Sequence, residues 1–499
     1  MGIVLRQTIK GTIVNYLGIF VGFFTTFFVL TRFLTQEEIG LTRMLVDVAT
    51  LFSGLAQLGM SNSIIRFFPY FKDEENRHRG FFFWTLLFPF LGFVIFACLY
   101  LLLKPSISGI YLEKSALFVD YYYYILPLAF ALLYQIIFEA NATVLMRIVV
   151  PRFIREVLVR VLLLGSYLLY AFKVVDIDVF VALFCCVYVF ASLCNIFYLL
   201  TFKSVSFAFK PNTVTPDVRN KFFMYSSFLL LSSLVGIITP RINTFFISAE
   251  MGLAFTGIYT IAEYISTLIE IPSRSLNTIT GPILAENIKN SNFSKVSSTL
   301  KLVSLHQFLA GGLIFFLIWT NIDLIFSILP NGENYLSGKW VVLILGISKL
   351  LNSSVAIVTG VLSYSKYYMY TLVFTLCLTV VMIVFITNFI PIWGITGASL
   401  AMLFSYLIYY ILFLAFVFFK YKISIFSYSQ IKTLFVFAIM FLLDVILREQ
   451  FAISENILLS IFKGASISFI LTLAGGFMIY KLKVSDYINS FIDKFLNKI

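Results

Sequence analysis

The chain has 499 residues, 60% hydrophobic and only 12% charged, with a mean hydropathy of +0.97. Soluble domains carry about 25% charged residues, so a chain this apolar cannot cover itself with polar surface, and lipid must be its solvent over most of its area. The net charge of +12 does not point to nucleic acid, because the basic residues lie in short loops between apolar runs and not on one water-exposed face. Cys98, Cys185, Cys186, Cys194 and Cys377 all fall inside apolar runs. None has zinc-ligand spacing to His78 or His306, which argues against a metal site or a disulfide framework.

Apolar stretches of at least 18 residues, broken by short polar hinges, mark spanning helices. In chain order they are predicted at 9–34, 40–68, 80–103, 117–146, 151–172, 177–202, 220–248, 253–281, 300–329, 339–363, 367–389, 391–419, 429–447 and 456–480. The eleventh and twelfth are separated only by Pro391. The first run is long enough to span and no small-residue cleavage site follows it, so it is read as a span and not as a cleavable signal.

The loop cations are strongly asymmetric. With the N-terminus inside, only Arg32, Lys104, Lys114, Lys173, Lys339 and Arg448 fall on the outer side. Both termini are therefore expected to be cytoplasmic, which requires an even number of spans. The expected fold class is an all-α polytopic membrane protein of about fourteen helices. The expected organisation is an N-lobe at 1–203 (spans 1–6), a C-lobe at 204–420 (spans 7–12), and a pair of extra spans with a short tail at 421–499.

An internal repeat supports the two six-helix lobes. The first external turn, Leu34-Thr-Gln-Glu-Glu-Ile-Gly40, leads into a helix holding Ala49-Thr-Leu51. Shifted along the chain, Met251-Gly-Leu-Ala-Phe-Thr-Gly257 leads into a helix holding Ser266-Thr-Leu268. In both, a glycine opens the helix after a tight external hairpin. Parallel six-helix repeats are an established transporter plan.

Three stretches carry a family resemblance: Lys10-Gly-Thr-Ile-Val-Asn-Tyr, Gln36-Glu-Glu-Ile-Gly40, and Leu58-Gly-Met-Ser-Asn-Ser-Ile-Ile-Arg66-Phe-Phe. They resemble the polysaccharide-transporter family, the O-antigen and capsule-type lipid-linked oligosaccharide flippases of bacteria. That family shares a superfamily with the multidrug-and-toxin extrusion antiporters and the lipid II flippase. The resemblance implies two lobes around a cavity that opens alternately to each side of the bacterial cytoplasmic (inner) membrane. It implies an anionic cargo, an undecaprenyl-pyrophosphate-linked oligosaccharide repeat unit, whose phosphates need cations while the lipid tail stays in the bilayer. The extra helix pair resembles that of the lipid II flippase, where it forms a groove for the tail. A monomer is the family expectation, with a polysaccharide polymerase as a pathway partner.

An ionisable group within a span is costly unless it meets water, a partner or a substrate. Arg43, Arg66, Arg160, Arg241, Arg274, Lys349 and Lys463 are the embedded cations. Lys349 lies about 14 Å into its span and Arg160 about 10 Å, too deep to reach an interface easily. Arg241 follows Pro240, whose missing N–H loosens the seventh span. Arg43 stands four residues before Asp47, and Arg274 four after Glu270, so each is expected to pair along its helix. Arg66 and Lys463 are read as snorkelling to an interface. Arg43, Arg160, Arg241, Arg274 and Lys349 are the expected substrate-binding set.

Asp47, Glu263, Glu270 and Glu139 are the embedded acids. Carboxylates in a low-dielectric span suit proton- or sodium-coupled movement, with ion pairing as the competing role. Asp47, Glu263 and Glu270 are the coupling candidates, and no cofactor or metal is expected. The Tyr121–Tyr124 run reads as an interfacial aromatic belt, with stacking on a sugar ring as the alternative. The surplus of embedded cations favours an anionic cargo over the other transporter reading, a cation-coupled multidrug exporter of the same superfamily. A membrane glycosyltransferase or polysaccharide polymerase would want a long external loop, and none is present.

Overall fold

The computed structural model describes residues 2–73, 77–202, 205, 224–226, 235–450 and 457–496, and among these it is helical with no strand. In the first part of the chain the helices are α1 (Gly2–Phe24), α2 (Gln36–Ala56), α3 (Met60–Phe71), α4 (Phe81–Leu102), α5 (Ile125–Val144), α6 (Val159–Ala171) and α7 (Ile177–Leu200). They are followed by α8 (Ile242–Glu250), α9 (Leu253–Thr267), α10 (Ile271–Lys289), α11 (Phe293–Thr320) and α12 (Lys339–Val355). The last are α13 (Met369–Tyr421), α14 (Tyr428–Gln450), α15 (Ile457–Lys481) and α16 (Asp486–Leu496).

Among the described residues, ten stretches are long and apolar enough to cross a membrane. One of them, α13, has 53 residues and would be about 80 Å long if straight, more than twice a bilayer's hydrocarbon thickness of about 30 Å. It therefore contains both the eleventh and the twelfth expected spans. The break between them is at Gly394 and not at Pro391: Gly394 has φ 57° and ψ −137°, a conformation that only glycine adopts without strain, whereas Pro391 lies within the helix. The expected span at 151–172 is helical but holds Arg152, Arg155, Glu156 and Arg160. That at 253–281 is helical but holds Glu263, Glu270 and Arg274. Most of the expected span at 220–248, and the expected lobe boundary at 203/204, lie outside the described residues.

The chain divides into two units, Met1–Gly257 and Ile258–Ile499. The first is organised around α2, which starts at a reciprocal cap. The Thr35 hydroxyl accepts from the Glu38 backbone N–H at 3.2 Å and the Glu38 carboxylate accepts from the Thr35 N–H at 2.8 Å. Two acids in the first turn, Glu37 and Glu38, favour the positive end of the helix dipole. α1 runs into a π-helical turn, Thr25–Leu30, where hydroxyls of Thr25 and Thr31 bond back to the carbonyls of Val21 and Phe27. Such back-bonding keeps polar groups satisfied within a lipid-soluble helix.

The two glycines of the sequence repeat meet in this unit. A β-carbon on Gly40 would lie 2.0 Å from the Leu253 carbonyl, and one on Gly257 would lie 2.0 Å from the Gln36 carbonyl. The contacts are reciprocal, each glycine of one repeat copy facing the residue four before the glycine of the other. The approach is backbone to backbone, and only a residue without Cβ allows it. In the second unit, Leu284, Leu300, Val361, Phe413 and Val417 join α10 to α13 in one buried cluster. α14 and α15 pack on α11 through Phe316, Val436, Phe437, Met440 and Leu471.

Gly40→Val and Gly257→Val are each expected to lower stability by about 1–3 kcal/mol through overpacking. The double variant should lose clearly less than the sum, because one valine already separates the crossing. Gly165→Ala, with no atom within 4 Å of the added carbon, should leave the apparent melting temperature in detergent unchanged. Additive losses in the double variant would show that the two glycines do not share one contact.

Candidate functional site

α2 turns Arg43 and Asp47 onto one face, and Arg43 Nε donates to Asp47 Oδ2 at 2.7 Å. The other carboxylate oxygen, Oδ1, lies 3.2 Å from Nε of Arg241. Arg241 is brought there by the turn Thr239–Arg241, which contains Pro240, and its Nη1 donates to the Ile237 carbonyl at 2.8 Å. The Asp47 side chain is 5% exposed, against 21% for Arg43 and 23% for Arg241. The carboxylate thus lies beneath two guanidinium groups, and the three side chains sum to one positive charge.

The second unit repeats this arrangement with other residues. Pro272 at the start of α10 lacks an N–H, and the chain enters it through a tight 3-10 turn, Leu268–Glu270. Glu270 ends that turn, buried, with Lys349 Nζ 3.6 Å and Arg274 Nη2 3.9 Å from its Oε2. Its firmest partner is Asn352, whose Nδ2 donates to Oε1 at 2.7 Å. Tyr410 in turn donates its hydroxyl to Asn352 Oδ1. Lys349 and Asn352 stand three apart on α12, so one helix face delivers a cation and an amide to the same carboxylate. Here too the three ionised side chains sum to one positive charge. Glu263 is half-buried on α9, and Tyr406 lies within electrostatic range of both Glu263 and Glu270.

Arg160 stands apart from both clusters. Its Nη2 meets Glu156 Oε2 at 3.0 Å, and its Nη1 donates to the Gly18 carbonyl at 2.5 Å. A β-carbon on Gly18 would strike the Glu156 carbonyl at 2.5 Å, and one on Gly22 would strike Arg160 Nη1 at 2.4 Å. The Gly18-x-x-x-Gly22 spacing opens a groove on α1 into which the π-helical turn Ile154–Leu158 and Arg160 fit. Glu139 pairs with Arg155 Nη1 at 2.5 Å, and Arg155 Nε meets Glu156 at 3.1 Å, so a chain of alternating charges ties α5 to α6 and α1.

Arg66 is exposed and stacks on the Tyr225 ring at 4.0 Å, and Lys463 is half-buried on α15. In the tyrosine run, Tyr121 donates to Asp178 at 2.6 Å. Tyr122 is fully buried, stacked on Tyr100 at 4.1 Å, and the two exchange hydroxyl-to-carbonyl hydrogen bonds. Tyr123 is exposed, within 2.9 Å of Lys104. Two of the four tyrosines therefore lock helices together and do not line an interface. α11 and α15 border a groove of about 460 Å³ lined by Leu317, Leu324, Ile461 and Phe469, with Asn321 and Ser468 among its walls.

Sequence reasoning missed Asn352, Tyr410 and the Gly18/Gly22 groove. A polar residue three positions from Lys349, and a small-x-x-x-small pattern in the first span, were the available signals.

The fold is one seen in solved transporters. The lipid II flippase MurJ in an inward closed conformation superposes with a TM-score of 0.71 at 12% identity, covering 96% of this chain and 99% of its own. A multidrug resistance MATE family transporter of the MOP superfamily, inward-facing, gives 0.62 at 14% identity over 82% of this chain and 94% of its own. An outward-facing MATE transporter of that superfamily gives 0.57 at 13% over 84% and 95%. The architecture is thus the fold of the MurJ flippase and the MATE transporters, that of a multi-pass membrane protein. No curated protein matches in sequence. Residues 5–288, more than half of the chain, match the family described as polysaccharide biosynthesis protein, and the chain belongs to that family.

The clamp on α1 has a measurable consequence. Arg160→Ala removes two charge-assisted hydrogen bonds and is expected to destabilise the protein by about 1–3 kcal/mol. In thermal melting in detergent its apparent midpoint should fall, and Arg160→Lys should recover only part of the loss, having one compact charge in place of a fork. An unchanged midpoint in Arg160→Ala would remove the structural role.

Proposed function

We propose that the protein is a flippase which carries undecaprenyl-pyrophosphate-linked oligosaccharide repeat units across the bacterial cytoplasmic (inner) membrane by alternating access, for surface polysaccharide biosynthesis. The observation that carries this reading is the pair of charge clusters in which two cations stand on one buried carboxylate. A pyrophosphate is a compact dianion or more, and guanidinium and ammonium groups are its natural partners. Membership of the polysaccharide biosynthesis family and the fold shared with a lipid II flippase support the same cargo class. Related transporters solved inward- and outward-facing support alternating access.

Arg43, Arg241, Lys349 and Arg274 are the cargo-binding cations in this reading, and Arg160 positions α1. The apolar groove bordered by α11 and α15 takes the isoprenoid tail while the headgroup crosses. Transport needs no bond to be made or broken, so the protein acts as a carrier and not as an enzyme. It works as a monomer beside the polymerase that joins the repeat units. Asp47, Glu263 and Glu270 are the carboxylates for proton or sodium coupling in this reading, with Tyr406 within range of Glu263 and Glu270.

In a strain lacking the gene, single lipid-linked repeat units should accumulate on the cytoplasmic leaflet and surface polysaccharide should disappear. Lys349→Ala and Arg241→Ala should each restore less than about a tenth of wild-type polysaccharide at normal protein levels, the loss of one charged hydrogen bond being worth about 1.5–3 kcal/mol. Repeat units that still reach the outer leaflet in the deletion strain would refute the assignment. Export of cationic drugs by the purified protein would then favour the multidrug reading.

A further inference from the structure

Both clusters share a feature that plain anion binding does not require: the cations are already neutralised in part by an acid of the protein itself. Asp47 engages Arg43 and Arg241 through its two separate oxygens. Its side chain has about a quarter of their fractional exposure, so the guanidinium groups are the more accessible part of the cluster. In the second unit, Glu270 is anchored by the Asn352 amide at 2.7 Å while its cations stand at 3.6 and 3.9 Å. The acid there is fixed by a neutral group and holds its cations loosely.

Two cations brought together with no acid between them would repel each other. A carboxylate between them removes that cost when no cargo is bound. The same carboxylate competes with any incoming anion, because the cations cannot give their best geometry to both.

Resting on the flippase reading, we propose that Asp47 and Glu270 are internal counter-ions. Each holds its cation pair in the empty protein, gives the pair up to a phosphate group of the cargo, and takes it back to expel that group. They are positioning residues that set how weakly the anion is held, which a carrier needs because tight binding at one face would prevent release at the other.

The test uses the purified full chain in nanodiscs of neutral lipid, with inorganic pyrophosphate as probe and titration calorimetry as readout. Wild type should bind weakly. Asp47→Asn should bind at least about tenfold more tightly, since it removes a charge at ion-pair distance from both guanidinium groups. Glu270→Gln should do the same independently, which keeps the proposal testable if one variant does not fold. Asp444→Asn, which breaks a one-to-one pair with Arg448 on α14, should leave pyrophosphate affinity unchanged. In strains, Asp47→Asn should lower surface polysaccharide despite its tighter binding, because release slows.

Folded Asp47→Asn and Glu270→Gln proteins that bind pyrophosphate no more tightly than wild type would overturn the counter-ion role. If in addition Arg241→Gln and Lys349→Ala bind as wild type does, the clusters are not anion sites, and the flippase reading loses its carrying observation. Loss of binding in those two variants, with no gain in the acid variants, would leave the anion sites standing and discard the counter-ion role alone.

Discussion

A charge placed in hydrocarbon must be answered within the protein, and this constraint organises both units. Asp47 in the first and Glu270 in the second are buried carboxylates. Each draws a cation from its own helical run at four residues' distance and a second from another helix. Pro240 and Pro272 loosen the backbone where the charged groups enter, and Asn352 and Tyr410 extend the network into α12 and α13. Isolated, any of these groups would cost several kcal/mol in a span. Together they form a polar cluster that the surrounding lipid-soluble helices can tolerate.

Not all embedded charge serves the same end. Arg160 sits against a glycine groove on α1 and bonds a backbone carbonyl, which makes it a joint between helices. The alternating series Glu139, Arg155, Glu156 and Arg160 is balanced in charge, whereas the two triads each retain a surplus of one positive charge. Expected depth gives no simple rule: the sequence places both Arg160 and Lys349 well inside a span, yet one is a clamp and the other faces a carboxylate with a competing amide.

Glycine sets the closest approaches. Gly40 and Gly257 cross backbone to backbone in a contact that is symmetric under the sequence repeat, so a weak similarity between two turns corresponds to a physical pairing. Gly394 accommodates the turn between the halves of α13, a conformation in which any side chain would be strained. In a membrane, where burying apolar surface against apolar lipid brings little, such close backbone contacts supply dispersion that larger residues would forbid.

The sequence by itself determined the solvent, the helical class, most of the spans, the embedded charges and the pairs Arg43–Asp47 and Arg274–Glu270. All of these follow from hydropathy and the 3.6-residue period, which act within a segment. The break at Gly394 was misplaced to Pro391, since proline is tolerated within a membrane helix while the φ a glycine adopts is not written in its neighbours. Which second cation each acid would meet, that Asn352 and Tyr410 would complete the Glu270 cluster, and that Arg160 would clamp α1 were decided only by the tertiary structure. Those contacts join residues separated by 58 to 194 positions along the chain, Asn352 to Tyr410 at one extreme and Asp47 to Arg241 at the other. Helix rotation and register set them, and no local pattern specifies either.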